Sequence, residues 1–199
     1  MSVCTLLVVA ALAHAQQVDV FAGGNTLFST QNNNASLTYL PPPERGGVYP
    51  SAGFDRIFKN GFGYDAEFAF RYKEGNYNGY QQYRPVLYDF NLVFAPHLNP
   101  FPARVAKRTS TIFTIGAGGE TVLYYNPYGN CGYPAGCSTH LDSNHFLFHM
   151  SGGFNYRVWR KFFVRPEANY YRIFNNTTDF HSDNVLRLGA SIGYTFHTD

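Results

Sequence analysis

Residues 184–196 constrain the fold of this chain more than any other stretch. Every second residue belongs to an apolar face, which consists of Leu186, Leu188, Ala190, Ile192, Tyr194 and Phe196. The residues between them are small or polar and include Arg187. A repeat of two residues is typical of a β-strand and not of a helix. The segment therefore fits the closing strand of a transmembrane β-barrel, with its apolar face toward lipid.

Seven further segments are predicted to be strands on the same grounds. They cover residues 18–25, 48–57, 62–73, 83–95, 109–125, 144–158 and 162–174. Eight strands of about ten residues each match a tilted crossing of a bilayer. The sequence thus predicts an all-β fold, a closed antiparallel up-and-down transmembrane barrel of about eight strands.

The predicted connections alternate in length. Long loops are predicted at residues 28–47, 74–82, 126–143 and 175–183, where Asn, Gly and Pro accumulate. The connections at residues 58–61 and 159–161 are short, and the one at residues 96–108 is of medium length. Short turns on one rim and long loops on the other are expected of outer-membrane barrels, whose turns face the periplasm.

The alternation divides the strand residues into two predicted faces. The predicted lipid-facing residues are Phe62, Tyr64, Phe68, Phe70, Tyr88, Phe90, Leu92, Phe146, Phe148, Leu188, Ile192, Tyr194 and Phe196. The predicted charge network of the lumen consists of Asp65, Glu67, Arg71, Asp89, Glu120, Arg157, Arg165, Glu167 and Arg187. Because about eight strands enclose only enough space for side chains, a plugged lumen is expected and not a conducting pore.

An exported soluble barrel of the lipocalin type remains an alternative. It would show the same period with the polarity reversed, and it would hold an apolar ligand inside. The membrane interpretation is favoured because the polar face mixes acidic and basic residues with many glycines and serines. Charged residues are also sparse at 14%, whereas aromatic residues reach 18%.

Length and charge limit the other classes. A chain of 199 residues is sufficient for one domain with a sizeable interior. The net charge of +2 gives no strong field toward nucleic acid, so no nucleic-acid partner is expected.

The N-terminal segment is predicted to be a signal peptide. An apolar run at residues 6–12 precedes Ala13-His14-Ala15, which has the small-residue pattern of a cleavage site. The predicted division is a signal peptide at residues 1–15 and a barrel domain at residues 16–199. A basic segment before the apolar run is missing, and Cys4 lies within the part that would be removed.

The chain resembles the small outer-membrane β-barrel proteins of Gram-negative bacteria, of the OmpA/OmpX-like, eight-stranded kind. The signal segment, the alternating strands, the loop asymmetry and the closing residues 188–196 carry this resemblance. It implies location in the outer membrane, contact with outer-membrane lipids and recognition of the C-terminal strand by the barrel-assembly machinery. In the family the terminal aromatic residue usually ends the chain, whereas three residues follow Phe196 here.

Two cysteines in one predicted loop favour a disulfide. Cys131 and Cys137 would pair in the oxidising compartment to which the chain is exported. The alternative is a metal site formed by these cysteines with His140 and His145. The disulfide is favoured because the cysteine spacing matches no common zinc pattern.

An enzyme is the second functional alternative. His140, Asp142 and Ser143 lie together in the same predicted loop, and some barrels of this class are lipid-modifying enzymes or proteases. No flanking motif supports this interpretation, and catalysis requires proximity in space and not in sequence. His149 is instead expected in the lumen network.

Two ion-pair arrangements are our expectations within that network. Glu120 would pair with Arg165 or Arg187, and Glu167 would pair with Arg157. The alternative is that each of these charges contacts water at a rim.

Tyrosines in the predicted outer loops suggest an interaction surface. They are Tyr77, Tyr80, Tyr83, Tyr124, Tyr125, Tyr128 and Tyr133, and they are suited to an extracellular ligand such as a glycan or to a simple aromatic girdle. The function predicted from the sequence is therefore a non-enzymatic structural or surface-interaction barrel without a cofactor.

Overall fold

A computed structural model describes residues 17–29, 44–77, 81–96, 102–132 and 136–196. The predicted signal peptide lies outside the described residues. Nine strands are present in this part of the chain: β1 (Gln17–Ser29), β2 (Tyr49–Ile57), β3 (Phe62–Phe70), β4 (Gly75–Tyr77), β5 (Gln81–Phe94), β6 (Thr109–Gly132), β7 (Gly136–Trp159), β8 (Phe162–Ile173) and β9 (Asn184–Phe196).

Eight of these strands form one closed antiparallel barrel. Each pairs with its neighbours in chain order, apart from β4, which pairs with β5 alone. The barrel closes because β1 pairs with β9 over twelve residues, from Val18 opposite Phe196 to Ser29 opposite Val185. β3 pairs directly with β5, from Phe62 opposite Phe94 to Phe70 opposite Val86. The predicted fold class is confirmed.

The connections between the strands lie at the two ends of the barrel. One end, which we call the turn rim, holds residues 58–61, 95–96, 102–108 and 160–161 together with the outer ends of β1 and β9. The other end, the loop rim, holds residues 44–48, 71–77 and 174–183 and the ends of β6 and β7 at Gly132 and Gly136. Helical turns occupy part of both rims: α1 (Ala103–Ala106) lies on the turn rim and a 3-10 helix (Asn176–Thr178) on the loop rim. No helix among the described residues is long and apolar enough to cross a membrane.

The β6–β7 hairpin is longer than predicted. Both strands have 24 residues and stand beyond their neighbours, so the predicted loop at residues 126–143 is wrong for most of its length. Pairing continues after a register irregularity between Tyr125 and Asn130. The glycine and asparagine content suggested a loop, but hydrogen bonding to the facing strand holds this segment in a ladder.

The faces of the strands are oriented as the membrane interpretation requires. All thirteen predicted lipid-facing residues lie on the outer side of the wall, where Phe90, Leu92 and Ile192 are more than half exposed. Four of the thirteen are half-buried on this outer side because neighbouring side chains cover part of them: Tyr64, Phe70, Phe148 and Tyr194. The soluble lipocalin-type alternative is therefore wrong, because its apolar residues would have to converge on the interior.

Close contact between strands explains one of the inward-facing glycines. A methyl group on Gly23 of β1 would overlap the carbonyl oxygen of Ala190 in β9 and lie 2.7 Å from Cα of Ser191. Its neighbour Gly24 points outward, where a methyl group would meet nothing within 4 Å. The β1–β9 seam that closes the barrel thus requires glycine at the first position and not at the second.

We expect Gly23→Ala to weaken the closed barrel and Gly24→Ala to leave it unchanged. Overpacking of this kind costs about 1–3 kcal/mol, because backbone atoms of β9 must move. The temperature at which the unboiled protein loses its compact migration on a denaturing gel would report the effect. Equal behaviour of the two variants would contradict the described β1–β9 register.

Candidate functional site

The interior of the barrel is where the predicted charged residues converge. Asp65, Glu67, Asp89, Glu120, Arg165 and Arg187 are each less than 7% exposed. Glu167 is half-buried, and its carboxylate accepts a hydrogen bond from Ser151 at 2.9 Å. These side chains occupy inward positions of β3, β5, β6, β8 and β9. All of them except Glu120, which lies near the loop rim, belong to one polar cluster that crosses the lumen.

Two further predicted members of the network also lie at the rims. Arg157 is exposed at the turn rim, beside a register irregularity between Arg157 and Trp159, so its assignment to the lumen was wrong. Its position has the inward parity, but the strand has already left the enclosed part of the barrel there. Arg71 follows the end of β3 at the loop rim, where its guanidinium donates to the Tyr83 hydroxyl at 2.7 Å.

The part of the polar cluster nearer the loop rim, here called its upper part, is built on an ion pair between Arg187 and Glu67. His149 lies beside this pair, with Nδ1 2.8 Å from the Asn91 amide oxygen and Nε2 2.9 Å from the Asn169 side chain. Asn91 in turn donates to Asp65 at 2.6 Å. His149 is therefore a member of the lumen network, as the sequence suggested, and its ring is fixed from both sides.

The lower part, nearer the turn rim, is built on Arg165. Its partners in the barrel were not predicted from the sequence. Its guanidinium forms an ion pair with Asp55 and lies 3.7 Å from Asp19, and its Nε donates to Asn155 at 2.6 Å. Asp19 and Asp55 are fully buried. Both predicted ion-pair arrangements are wrong, because Arg187 and Arg165 pair with Glu67 and Asp55, whereas Glu120 lies at the loop rim.

Apolar clusters flank the polar cluster toward both rims. Toward the loop rim, eight inward residues pack together: Leu27, Tyr49, Ala69, Leu87, Leu147, Tyr171, Ile173 and Val185. Toward the turn rim, Ile57, Val93 and Ile112 form a smaller cluster. Such residues stand at the ends of strands, where the inward face becomes apolar while the outward face stays apolar.

A buried carboxyl pair lies above the apolar cluster nearer the loop rim. Glu44, just before β2, is fully buried and faces the carboxyl group of Glu120 and the side chain of Asn176. None of the four carboxyl oxygens of Glu44 and Glu120 accepts a hydrogen bond of normal geometry from the described residues. Burial raises the pKa of Glu44 to about 7, although Glu120, Asn176, Arg71 and His145 each favour its charged form.

Part of the β8–β9 loop covers this pair. Phe180 is fully buried and packs on the ring of Tyr83, with 5.3 Å between the ring centres. Asn176 is also fully buried, and its amide donates to the Ser182 carbonyl oxygen at 3.0 Å. The loop thus folds inward over the loop rim. Tyr83 is 4% exposed, so its predicted role in an outer binding surface is wrong.

The residues proposed for hydrolysis do not form a triad. His140 Nε2 lies 3.5 Å from an Asp142 carboxylate oxygen, and both side chains are about half exposed. Ser143 contacts a different histidine, His145, whose Nε2 is 3.1 Å from the hydroxyl and 2.8 Å from an Asp179 carboxylate oxygen. In a catalytic triad the serine and the carboxylate bind opposite ring nitrogens, whereas here both bind Nε2.

The two cysteines are backbone partners at the end of the β6–β7 hairpin. The register places Cys131 directly opposite Cys137, but their side chains lie outside the described residues, so the disulfide stays a prediction. The same holds for the metal alternative that includes them. Among the side chains that are described, no group of three or more His, Cys, Asp or Glu residues could hold a metal ion. The side chains of Tyr77, Tyr80, Tyr128 and Tyr133 are likewise outside that part.

Known structures share this architecture. Ail of Yersinia pestis, solved with the heparin analogue sucrose octasulfate, is 12% identical, with a TM-score of 0.56 over 90% of this chain and 98% of that one. Neisserial surface protein A is 10% identical, with a TM-score of 0.57 over 90% of this chain and 96% of that one. The N-terminal β-barrel domain of Pseudomonas aeruginosa OprF is 8% identical, with a TM-score of 0.56 over 92% and 98%.

These likenesses establish the fold. The chain is an all-β, closed transmembrane barrel with the architecture of the small outer-membrane proteins of Gram-negative bacteria. The chain matches no protein-family model and none of the curated proteins by sequence.

The raised pKa of Glu44 predicts that the free energy of unfolding depends on pH. Its pKa in the folded protein is about 7 against an ordinary 4.5, so the folded state keeps a proton that the unfolded chain releases between these values. Stability should therefore fall as pH rises from about 4.5 through 7, by roughly 1–3 kcal/mol. We expect Glu44→Gln to remove this part of the decline, as measured by denaturant unfolding from lipid vesicles at about pH 5 and pH 8.

Glu74→Gln is the matched control for this experiment. Glu74 is also at the loop rim, but its side chain is 31% exposed and contacts Arg84 at 3.2 Å. Its substitution should leave the pH dependence as in the unsubstituted protein. A Glu44→Gln variant that keeps the full dependence would show that another group is responsible.

Proposed function

We propose that this chain is a non-enzymatic integral protein of the bacterial outer membrane, with a sealed lumen and a structural or surface-interaction role. The single observation that supports the sealed lumen most strongly is its layered filling. The polar cluster around Arg187 and Arg165 lies between two apolar clusters. The one toward the loop rim includes Tyr171 and Leu147, and the smaller one toward the turn rim includes Ile57. Closely packed interiors of this kind leave little space for a continuous water column.

The proposal places the turn rim in the periplasm and the loop rim at the cell surface. The asymmetry of the connections supports this orientation, since outer-membrane barrels have short periplasmic turns. It includes export by the signal peptide at residues 1–15 and recognition of β9 by the barrel-assembly machinery. β9 supports that role by its alternating pattern and by the exposed Phe196 at its end.

The loop rim is the proposed place of any surface interaction. The long β6–β7 hairpin projects there, and Tyr72 and Leu141 are more than half exposed. Exposed aromatic and apolar side chains on a rigid scaffold are suited to recognition of another molecule. The proposed disulfide between Cys131 and Cys137 would stiffen the tip of the hairpin.

The non-enzymatic role is favoured over a lipid-modifying enzyme or protease. Among the described residues, Ser143, His145 and Asp179 form a cluster of the residue types that hydrolases use. Its serine and carboxylate share one imidazole nitrogen, while the other nitrogen lies 3.3 Å from the Phe174 carbonyl oxygen. The carboxylate therefore does not orient the ring toward the serine in the way that a general base requires.

We expect the purified protein to give no channel steps in a planar lipid bilayer. A double substitution of the apolar cluster nearer the loop rim, Tyr171→Ala with Leu147→Ala, should open a path through the lumen and produce small conductance steps. Both side chains are fully buried. Their outward-facing neighbours provide the control, because Tyr170→Ala with Phe146→Ala changes the lipid-facing side of the same strands.

The unsubstituted protein decides this test even if the inner variant does not fold. Stable conductance steps from the unsubstituted barrel, of the size expected for a water-filled pore, would contradict the sealed lumen. Steps from the outward control alone would also contradict it.

A further inference from the structure

We propose that the turn between β7 and β8 is a binding site for the headgroup of an anionic phospholipid. The site is the cleft formed by Trp159, Arg160, Lys161 and Phe162 of this turn together with Tyr194 of β9. Its volume is about 290 Å³. We call it the turn cleft. The inference rests on the proposed function only in that it places the turn rim at a membrane surface.

The backbone of Arg160 is the first observation that points to a ligand. Its φ angle is 48°, in the left-handed region that glycine and asparagine adopt readily and other residues disfavour. The other tight turn on the same rim has Gly61 in this conformation, at φ 80°. Asn175 is the other described non-glycine residue with positive φ. Arginine in this backbone conformation is unfavourable for the turn. The observation therefore indicates that the Arg160 side chain has a role outside the turn.

The chemistry of the cleft is the second observation. The Arg160 guanidinium lies over the ring of Trp159, 5.2 Å from its centre. The Trp159 and Phe162 rings stack with centres 5.9 Å apart, and Tyr194 packs edge-on against Phe162 at 5.0 Å. The cleft thus joins two cations to an aromatic wall. A guanidinium and an ammonium recognise phosphate oxygens, while the rings suit the glycerol and the first methylene groups of a lipid.

The charge of the surrounding rim is the third observation. Among the side chains that the structure describes on the turn rim, the half-buried Lys161 and five exposed cations carry positive charge. The exposed ones are Lys59, Lys107, Arg108, Arg157 and Arg160. Among the described residues of this rim, 56–62, 94–96, 102–110 and 156–163, there is no Asp or Glu. Neither Arg160 nor Lys161 forms an ion pair within the described part of the chain.

The location of the turn cleft, at the edge of the lipid-facing surface, indicates that an anion bound there belongs to a lipid. Trp159 and Val158 are 60% and 55% exposed, and they continue the apolar outer face of the barrel. Tryptophan and tyrosine rings concentrate at the level of lipid headgroups. A ligand in the turn cleft would therefore have its phosphate at the cationic rim and its acyl chains along the lipid-facing surface. Phosphatidylglycerol has this form and a net negative charge, whereas phosphatidylcholine is neutral overall.

Native mass spectrometry of the folded barrel in detergent tests the proposal. Phosphatidylglycerol and phosphatidylcholine with identical acyl chains would be titrated separately, and inorganic phosphate would be added as a competitor in a third arm. We expect phosphatidylglycerol to bind more tightly than phosphatidylcholine, with little effect of inorganic phosphate. Equal binding of the two lipids, or full displacement by inorganic phosphate, would overturn a headgroup site for an anionic lipid.

Matched double variants separate the turn cleft from the general charge of the rim. Arg160→Asn with Lys161→Gln removes two cations from the cleft, and asparagine suits the left-handed backbone at residue 160. Lys59→Gln with Lys107→Gln removes two cations from elsewhere on the same rim. We expect the first pair to weaken phosphatidylglycerol binding about tenfold and the second by less than about twofold.

Equal losses in the two double variants would overturn the site and leave only a diffuse field. Heat-resistant compact migration of each variant on a denaturing gel would verify that the barrel is closed. The conductance measurement is independent of this experiment, so failure of the lipid site and failure of the sealed-lumen proposal can be distinguished.

Discussion

Hydrocarbon provides no hydrogen-bond partner for a peptide group, and this condition governs the structure. It is met because the sheet closes on itself: β1 pairs with β9, and β3 pairs with β5, so the eight barrel strands form a closed cycle of pairs in the described part of the chain. Closure by eight strands fixes a narrow interior, and alternation sends half of all strand side chains into it. The charges that enter must then find partners, as Arg187 does with Glu67 and Arg165 with Asp55.

The sequence predicted the parts of this arrangement that depend on local pattern. Phe90 and Asp89 are adjacent in β5, and alternation alone places the first outside at 57% exposure and the second inside at 6%. The same rule holds for Leu188 and Arg187 in β9. The strand ends that precede tight turns were also predictable, because residues 60–61 are Asn-Gly, a sequence that favours a hairpin turn.

The partners within the lumen were not predictable, because alternation fixes the face of a residue and not its height in the barrel. Arg187 and Glu67 are 120 residues apart, and Arg165 and Asp55 are 110 apart. Their contact depends on the stagger of all eight strands. Glu44 lies in a segment without periodicity, so nothing in the pattern placed it against Glu120. Residues 126–132 have the composition of a loop but continue strand β6, and residues 130–132 pair with residues 136–138 of β7.

The central claim is that the aromatic and aliphatic face contacts acyl chains and the charged face points into the lumen. The most direct measurement is nitroxide labelling at each residue from 87 to 92, in a protein with Cys131 and Cys137 replaced by serine. Collision with oxygen, which concentrates in hydrocarbon, would be compared with collision with a water-soluble nickel chelate. The structure predicts high oxygen collision rates at the outward residues Tyr88, Phe90 and Leu92 and low rates at the inward residues Leu87, Asp89 and Asn91. The opposite phase, or high nickel access at the outward positions, would contradict it.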